Sequence, residues 1–284
     1  LHQIELKDLT KRDIEIWHNK LAATPTAANR ALAALSVVFE WDGKKLNPMF
    51  NGPNPCLRIS KYEETKDKNY IDNNEKLFQI IKYTDEQQWR EPHFLTFYRL
   101  LMEDGERIED HFKLLWKEPT SKADALSCSG WINFRTKSIH FTDTKNRKPA
   151  DVELTEEMIT MLQKLQNLIS DENTNASYAV GSKWVFPRPT DPSKPINNSS
   201  YRVKLRDFNY KMGLSIREYV RGKGKRIVYK YKNILTFKHL RKTFVTYYGR
   251  SKGLEAASIR MRHSSMEITK NHYYNEKQED LKTK

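Results

Sequence analysis

Apolar side chains recur every three or four residues along most of this chain, and this helical spacing limits its fold more than any other feature. An early helix should begin at the letters TKRD, where Thr10 can act as the N-cap of a capping box. The segment TAANRALAALSVVFEWD predicts a second helix that opens at Thr26. The apolar face of this second helix is predicted to contain Leu32, Leu35, Val38 and Phe39.

Short strand-like segments lie in the middle of the chain. WINF and SIHFT, separated by residues 135–137, predict a hairpin, and ADVEL predicts a third strand. Thr155 should then cap a helix that extends to about Leu168. The predicted fold class is therefore mainly α with a small antiparallel β-sheet.

A change in composition near residue 60 predicts two domains. The segment LNPMFNGPNPCL is broken by three prolines, and KYEETKDKN after it is charged and poor in apolar residues. Such segments are typical of domain boundaries and linkers. We predict a helical domain of residues 1–60, a linker of residues 61–69 and a larger domain of residues 70–284.

The chain has a formal net charge of +14, from 50 Lys and Arg against 36 Asp and Glu. This surplus favours a polyanionic partner, nucleic acid first, because each neutralised phosphate releases counterions. No apolar run approaches the roughly 20 residues of a membrane span, and no secretion signal is expected. Cys56 and Cys128 stand far apart without a metal-binding pattern, so we expect a cytoplasmic protein in a reducing compartment.

Two segments near the C-terminus carry a resemblance to a known family. LTFKHLRKTFVTYY and, after it, IRMRHSSMEITKNHYY resemble the two C-terminal boxes of the tyrosine recombinases of the phage-integrase type. In those boxes an arginine is followed about twenty residues later by a His-Ser-Ser turn and then a tyrosine. The resemblance assigns Arg241 as the second catalytic arginine, His263 as the histidine and Tyr273 as the nucleophile, with Tyr274 as the alternative nucleophile.

Earlier segments extend the resemblance over nearly the whole chain. MEDGERIEDHFKLLW resembles the first box, which assigns Arg107 as the first catalytic arginine and Asp110 as its support. TDTKNRKPADVEL resembles the lysine-bearing turn, which assigns Lys145, with Arg147 and Lys148 as alternatives. TAANRALAALSVVFEW and the later Asn-Pro pair resemble the helical core-binding domain, so residues 1–60 are interpreted as that domain and residues 70–284 as the catalytic domain.

Three positions near these boxes depart from the family pattern. Lys238 occupies the place where a histidine is usual, and His239, which falls one place later, is a second candidate for that role. Some members and the related type IB topoisomerases carry lysine there, so activity remains compatible with the sequence. Arg262 replaces the glycine that often precedes the third-box histidine, which predicts a change in the packing of that turn.

The resemblance implies cleavage without metal, ATP or any other cofactor. Tyr273 would attack the phosphodiester to form a 3′-phosphotyrosyl bond and a free 5′ hydroxyl, which conserves the energy of the broken bond. The two arginines would bind the non-bridging oxygens of the transition state, and His263 would donate a third hydrogen bond. Lys145 would protonate the departing 5′ oxygen, and Lys238 would assist proton transfer or hold the phosphate.

Basic residues outside the boxes predict where DNA binds. The segment REYVRGKGKRIVYKYKN interleaves cations with tyrosines and suits a hairpin that lies along DNA phosphates, with an exposed solvated loop as the alternative. The predicted phosphate-binding residues are Arg30, Lys44, Lys45, Arg217, Arg221, Lys223, Lys225, Arg226 and Lys230.

The resemblance also implies partners and a biological role. The substrate would be a double-stranded DNA attachment site in the host nucleoid, enclosed by the two domains as a C-shaped clamp. The working form would be a homotetramer on two duplexes, assisted by accessory DNA-bending or directionality factors. We expect integration or excision of a phage or other mobile element, and an arm-binding domain upstream of residue 1 would fit. The alternatives are a type IB topoisomerase-like DNA relaxase and a non-catalytic DNA-binding relative.

Overall fold

The chain folds as two compact units in a computed structural model that describes residues 4–44, 49–50, 52–64, 69–142, 149–221, 227–232 and 235–274. Unit 1 is Leu1–Asp67 and unit 2 is Lys68–Lys284, so the division falls within residues 61–69. None of the helices in these ranges is long and apolar enough to cross a membrane.

Unit 1 contains two helices, α1 (Lys11–Asn19) and α2 (Pro25–Asp42). The predicted capping box is confirmed: Thr10 accepts a hydrogen bond from the Asp13 N–H, and the Asp13 carboxylate accepts one from the Thr10 N–H. The prediction that α2 opens at Thr26 is wrong by one residue. Proline has no N–H to lose and has a φ preset for a helix, so it takes the first position instead.

The core of unit 1 is small and follows the predicted helix face in part. Ile14, Leu32 and Phe39 are buried together, and Leu35 packs against them half-buried. Val38, however, is 52% exposed, so its place on the buried face was wrongly predicted. The apolar stripe of α2 is therefore narrower than the sequence suggested.

Unit 2 is built around one nearly fully buried helix, Pro92–Asp104. At its centre Phe97 packs against Phe112, Phe186 and Phe237, which come from three other parts of the unit. The helix that Thr155 caps is confirmed, and it extends to Ser170. The helices of unit 2 are α3 (Asn74–Glu86), α4 (Pro92–Asp104), α5 (Ile108–Phe112), α6 (Lys122–Ser127), α7 (Glu156–Ser170), α8 (Asn198–Lys211), α9 (Phe237–Lys252), α10 (Leu254–Arg260) and α11 (Met266–His272).

The predicted hairpin and third strand are present in unit 2. Together with a short strand, β1 (Leu114–Leu115), they form a four-stranded sheet in the order β1-β2-β3-β4. In this sheet β2 (Gly130–Asn133) pairs antiparallel with β3 (Ser138–Phe141), and β3 pairs antiparallel with β4 (Ala150–Glu153). The three predicted strands pair antiparallel as predicted, and β1, which was not predicted, adds a parallel pair with β2. The parallel pair arises because α6 carries the chain back between the two strands. The strands are β1 (Leu114–Leu115), β2 (Gly130–Asn133), β3 (Ser138–Phe141), β4 (Ala150–Glu153), β5 (Pro187–Arg188), β6 (Asp191–Pro195), β7 (Ile216–Arg221) and β8 (Ile227–Lys232).

Gly105 ends α4 and brings that end against α9. Its φ is +67°, in the left-handed region that favours glycine. A Cβ atom at this position would lie 2.2 Å from Cδ1 of Phe244 on α9. The close approach places the residues just after Gly105 beside the first turns of α9, where the candidate site lies.

Candidate active site

A buried ion pair shapes the turn after α4. One oxygen of Asp104 accepts the Glu106 N–H at 2.9 Å, and the other lies 2.6 Å from Nε2 of His111. Nδ1 of His111 lies 3.0 Å from the Arg107 carbonyl, so both ring nitrogens face oxygen acceptors. Burial alone lowers the pKa of His111, but Asp104 and the Arg107 carbonyl outweigh it and raise that pKa. The imidazolium form satisfies both contacts.

This turn presents Arg107 to solvent. Arg107 is exposed at the N-cap of α5, and within the described part of the chain its guanidinium has no hydrogen bond or ion pair. The carboxylate of Glu103, four residues before Arg107, instead accepts hydrogen bonds from Arg99 and Thr155. Asp110 is buried one turn away, and its N–H donates to the Arg107 carbonyl. Arg107 is thus placed on a fixed turn with its charge available to an anion.

Arg241 reaches this turn from α9. It is 4% exposed, and its Nη1 donates a hydrogen bond of 2.7 Å to the carbonyl of Gly105. The same nitrogen lies 4.0 Å from the carboxylate of Glu106. Its Nη2 lies 3.3 Å from Nε2 of His263. One guanidinium therefore joins the turn after α4 to the segment between α10 and α11.

His263 is oriented by α11. Its Nδ1 lies 2.6 Å from the hydroxyl of Thr269, which is fully buried. Because an arginine nitrogen can only donate, Nε2 of His263 accepts from Arg241. In the neutral tautomer Nδ1 then carries the proton and donates it to Thr269.

Tyr273 follows α11 directly and lies with the same two residues. Its ring stacks on His263 with centroids 5.1 Å apart and an angle of 23°. The guanidinium carbon of Arg241 lies 5.2 Å from the centre of the Tyr273 ring. The Tyr273 carbonyl accepts a hydrogen bond of 3.1 Å from Thr246 on α9. These contacts gather a phenol, a guanidinium and an imidazole in one place.

Tyr274 points to a different neighbour. Its ring packs against Gly249 of α9, where a Cβ atom would lie 2.8 Å from the ring. Its N–H and that of Tyr273 both donate to the Thr269 carbonyl. Of the two adjacent tyrosines, it is thus Tyr273 whose ring lies beside Arg241 and His263.

Lys238 and His239 differ in exposure. Lys238 is exposed on the first turn of α9, and among the residues that the structure describes its ammonium has no ion pair or hydrogen bond. It lines an open cleft of about 770 Å³ together with Arg202 and Arg206 of α8. His239 is buried, and its Nδ1 accepts the Thr236 N–H at 2.8 Å. The ring of His239 therefore caps α9.

The predicted DNA-binding residues divide among three situations. Arg30 and Lys44 are exposed in unit 1, on α2 and just after it. Arg217 is exposed on β7, and its guanidinium lies 4.4 Å from the ring centre of Tyr210. Arg221 and Lys230 lie in β7 and β8, and the structure describes their backbone only. The remaining predicted DNA-binding residues lie outside the described ranges: Lys45, Lys223, Lys225 and Arg226. The predicted catalytic lysine Lys145 and its alternatives Arg147 and Lys148 also lie outside these ranges.

Several residues that shape the site were not found from the sequence. The acceptor and ion-pair partners lie within the quoted boxes, but no pattern marks them as partners: Asp104, Glu106, His111 and Thr269. The cations Arg202 and Arg206 had a signal, because α8 repeats basic residues along its length.

Comparison with known proteins identifies the fold. Solved structures of recombinases and integrases share it, among them the following three. XerA recombinase is 17% identical with a TM-score of 0.51, over 98% of this chain and 83% of that one. The Tn1549 transposon integrase in complex with transposon right end DNA is 12% identical with a TM-score of 0.64, over 98% and 85%. A lambda integrase tetramer bound to a Holliday junction is 11% identical with a TM-score of 0.62, over 96% and 68%.

The fold is therefore that of the tyrosine recombinases. The Phage integrase family model matches residues 70–280, and the chain belongs to that family. The predicted family and the mainly helical fold class are confirmed. No curated protein sequence matches the chain.

Proposed function

We propose that this chain is a site-specific DNA recombinase that cuts and rejoins strands through a covalent 3′-phosphotyrosyl intermediate on Tyr273. The observation that carries the proposal is the convergence of Tyr273, Arg241 and His263, which come from three separate segments. A nucleophile beside donors that can stabilise a phosphate oxyanion is the arrangement that phosphoryl transfer requires.

The proposed reaction exchanges one phosphodiester bond for another, so the bond energy is conserved. The Tyr273 oxygen releases its proton to solvent and attacks phosphorus, and the bond to the 5′ oxygen of the next nucleotide breaks. That oxygen takes a proton, for which Lys145 is the proposed donor. Arg107 and Arg241 neutralise the non-bridging oxygens, and the imidazolium form of His263 donates a further hydrogen bond from Nε2. Attack by a 5′ hydroxyl on the phosphotyrosine then reseals a strand without ATP and without a metal ion.

The proposed substrate is a double-stranded DNA attachment site, and the proposed assembly is a homotetramer. The net charge of +14 and the cations Arg202, Arg206 and Lys238 of the cleft favour a polyanion. The lambda integrase structure supports the assembly by analogy, because it is a tetramer on a Holliday junction. Strand exchange between two duplexes requires four strand cleavages, so each subunit of a tetramer would carry out one cleavage. We propose integration or excision of a phage or other mobile element in the host nucleoid as the role.

Covalent trapping tests the chemistry. The protein is incubated with nicked duplexes tiled across the DNA that flanks its own coding sequence, and the adduct is digested with trypsin. The peptide of residues 271–277 contains both tyrosines, so fragmentation in the mass spectrometer must separate them. We expect the phosphodiester on Tyr273, its loss in Tyr273→Phe and its retention in Tyr274→Phe. A link on Tyr274 would correct the nucleophile.

One further variant and one further assay separate the alternatives. Arg107→Ala should abolish the adduct while DNA binding remains, whereas tight binding without any adduct in the wild type would identify a non-catalytic relative. The exposed Lys238 also fits a type IB topoisomerase-like relaxase. Efficient relaxation of a supercoiled plasmid that lacks an attachment site would favour that relaxase over the recombinase.

A further inference from the structure

The carboxylate of Glu106, in the turn after α4, lies between Arg241 and Arg262. Its side chain is fully buried, with an exposed fraction of 0%. Nη2 of Arg262 donates a hydrogen bond of 2.7 Å to one carboxylate oxygen, and Nη1 of Arg241 lies 4.0 Å from the same oxygen. A buried carboxylate requires a cation, because burial removes its hydration. Arg262 is the closer of the two cations.

The backbone of Arg262 indicates that its side chain has a specific task. Its φ is +52°, in the left-handed region where glycine is favoured and a long side chain is disfavoured. Glycine is also the usual residue here in the sequences that this chain resembles. An arginine in this conformation is retained at a cost in free energy, and the Glu106 contact offsets it.

The position of Glu106 makes it a competitor for Arg241. Arg241 holds the Gly105 carbonyl with the nitrogen that faces Glu106, and it turns its other terminal nitrogen to His263 and the Tyr273 ring. If Arg262 were neutral, Arg241 would be the nearest cation to this carboxylate among the residues that the structure describes. Electrostatic attraction would then move its guanidinium away from His263 and toward Glu106.

We propose that Arg262 is a positioning residue for the reaction proposed above. By neutralising Glu106, it keeps the Arg241 guanidinium directed at the scissile phosphate. Arg262 does not itself need to touch DNA, so it acts through Arg241. The inference rests on the proposed phosphotyrosine chemistry and adds a residue pair, one from the turn after α4 and one from the turn before His263.

A rescue experiment tests this role in the full-length chain. The single-turnover rate of adduct formation and the DNA dissociation constant are measured for the wild type, Arg262→Gln, Glu106→Gln and the double variant. Arg262→Gln should lower the rate at least about tenfold while the dissociation constant changes less than about twofold. The double variant should be at least about threefold faster than Arg262→Gln, because the competing carboxylate is gone. Damage that is merely structural would instead accumulate in the double variant.

Arg260→Gln is the matched control. It removes the same charge two residues earlier, and the Arg260 guanidinium lies over the Phe244 ring rather than beside Glu106. We expect its rate to match that of the wild type. An equal loss in Arg260→Gln, or a double variant as slow as Arg262→Gln, would overturn the proposed role.

Urea unfolding of the same four proteins keeps this inference separate from the proposed chemistry. Arg262→Gln should lower the unfolding midpoint, and the double variant should recover part of the loss, because the carboxylate that lost the Arg262 charge is removed. Additive losses would show that the two residues are not coupled and would overturn the inference. If the wild type forms no adduct, the recombinase proposal fails, and the unfolding cycle still decides whether the pair exists.

Discussion

The charge of His111 links a single side chain to the pH dependence of the fold. His111 is fully buried between the Asp104 carboxylate and the Arg107 carbonyl, and its pKa is raised above the ordinary value of 6.5. A raised pKa means that the folded protein holds this proton more tightly than the unfolded chain does. The pair therefore stabilises the fold fully below about pH 6.5 and loses this contribution as the pH rises through the folded pKa.

We predict that the free energy of unfolding falls more steeply with rising pH in the wild type than in a variant without this pair. The matched variant is Asp104→Asn with His111→Leu, because replacing His111 alone would leave a buried unpaired carboxylate. Urea unfolding between about pH 6 and about pH 9 measures the difference. Parallel pH profiles for the two proteins would contradict the assignment of an imidazolium at His111.

Thr269 is a second residue whose effect is testable alone. Its hydroxyl accepts a hydrogen bond from the Nδ1–H group of His263, so Thr269→Val keeps the shape and removes the acceptor. We predict a cleavage rate about tenfold to a hundredfold lower, since partners that orient a functional histidine have effects of this size. The free energy of unfolding should fall by only about 1 kcal/mol.

The control for Thr269→Val is Thr160→Val on α7. The Thr160 hydroxyl donates to the Glu156 carbonyl within its own helix, remote from His263 in the chain. Adduct formation by Thr160→Val should equal that of the wild type. If Thr269→Val also cleaves at the wild-type rate, the orientation of His263 does not depend on this contact.

The approach of α4 to α9 depends on Gly105, which makes it the test at the level of elements. Gly105→Ala introduces a methyl group at a φ of +67° and within 2.2 Å of the Phe244 ring. Strain and overpacking each cost about 1–3 kcal/mol, so we predict a loss of about 2–6 kcal/mol in the free energy of unfolding. Since the same turn carries Arg107, cleavage should also be lost.

Gly181→Ala separates the two causes. Its φ is +75°, but a Cβ atom there has nothing within 4 Å. This variant should show the backbone strain alone, with a loss of about 1 kcal/mol in urea unfolding. Equal losses in the two variants would show that the contact between α4 and α9 is not closely packed at Gly105.

Local signals predicted the elements well where one residue decides the boundary. Thr10 and Thr155 cap their helices as expected, because the cap bonds involve residues only three positions away. The parallel pairing of β1 with β2 was missed, since two residues, Leu114–Leu115, leave no period to read. Val38 was misplaced because helical spacing gives the face of a helix but not the width of the surface that covers it.

The candidate site was predictable in its parts and not in its contacts. The order of the boxes gave Arg107, Arg241, His263 and Tyr273, and the structure places the last three together. The pair of Glu106 and Arg262 spans 156 residues of sequence, and neither residue has a periodic or motif signal that marks its partner. Contacts of this kind depend on how α4, α9 and the turn before α11 pack, which a single sequence does not encode locally.

For the whole molecule, the positive net charge predicts a strong dependence of DNA binding on salt. Each phosphate contact that is removed should reduce the slope of log K against log salt concentration by about 1. Replacing Arg202 and Arg206 of the cleft by Gln together should therefore reduce it by about 2. Titrations by fluorescence anisotropy over a range of salt concentrations give the slopes.

A charge-matched control makes that experiment specific to the cleft. Lys122→Gln with Lys164→Gln removes the same two charges from exposed positions on α6 and α7, where Lys164 lies beside Glu156 and Glu157. If net charge alone attracted DNA, both double variants would weaken binding equally, because long-range attraction depends on the total charge. If the cleft beside Lys238 holds the phosphates, the slope changes in the Arg202 and Arg206 variant alone. Equal slopes in the two variants would show that the DNA phosphates contact another surface of the chain.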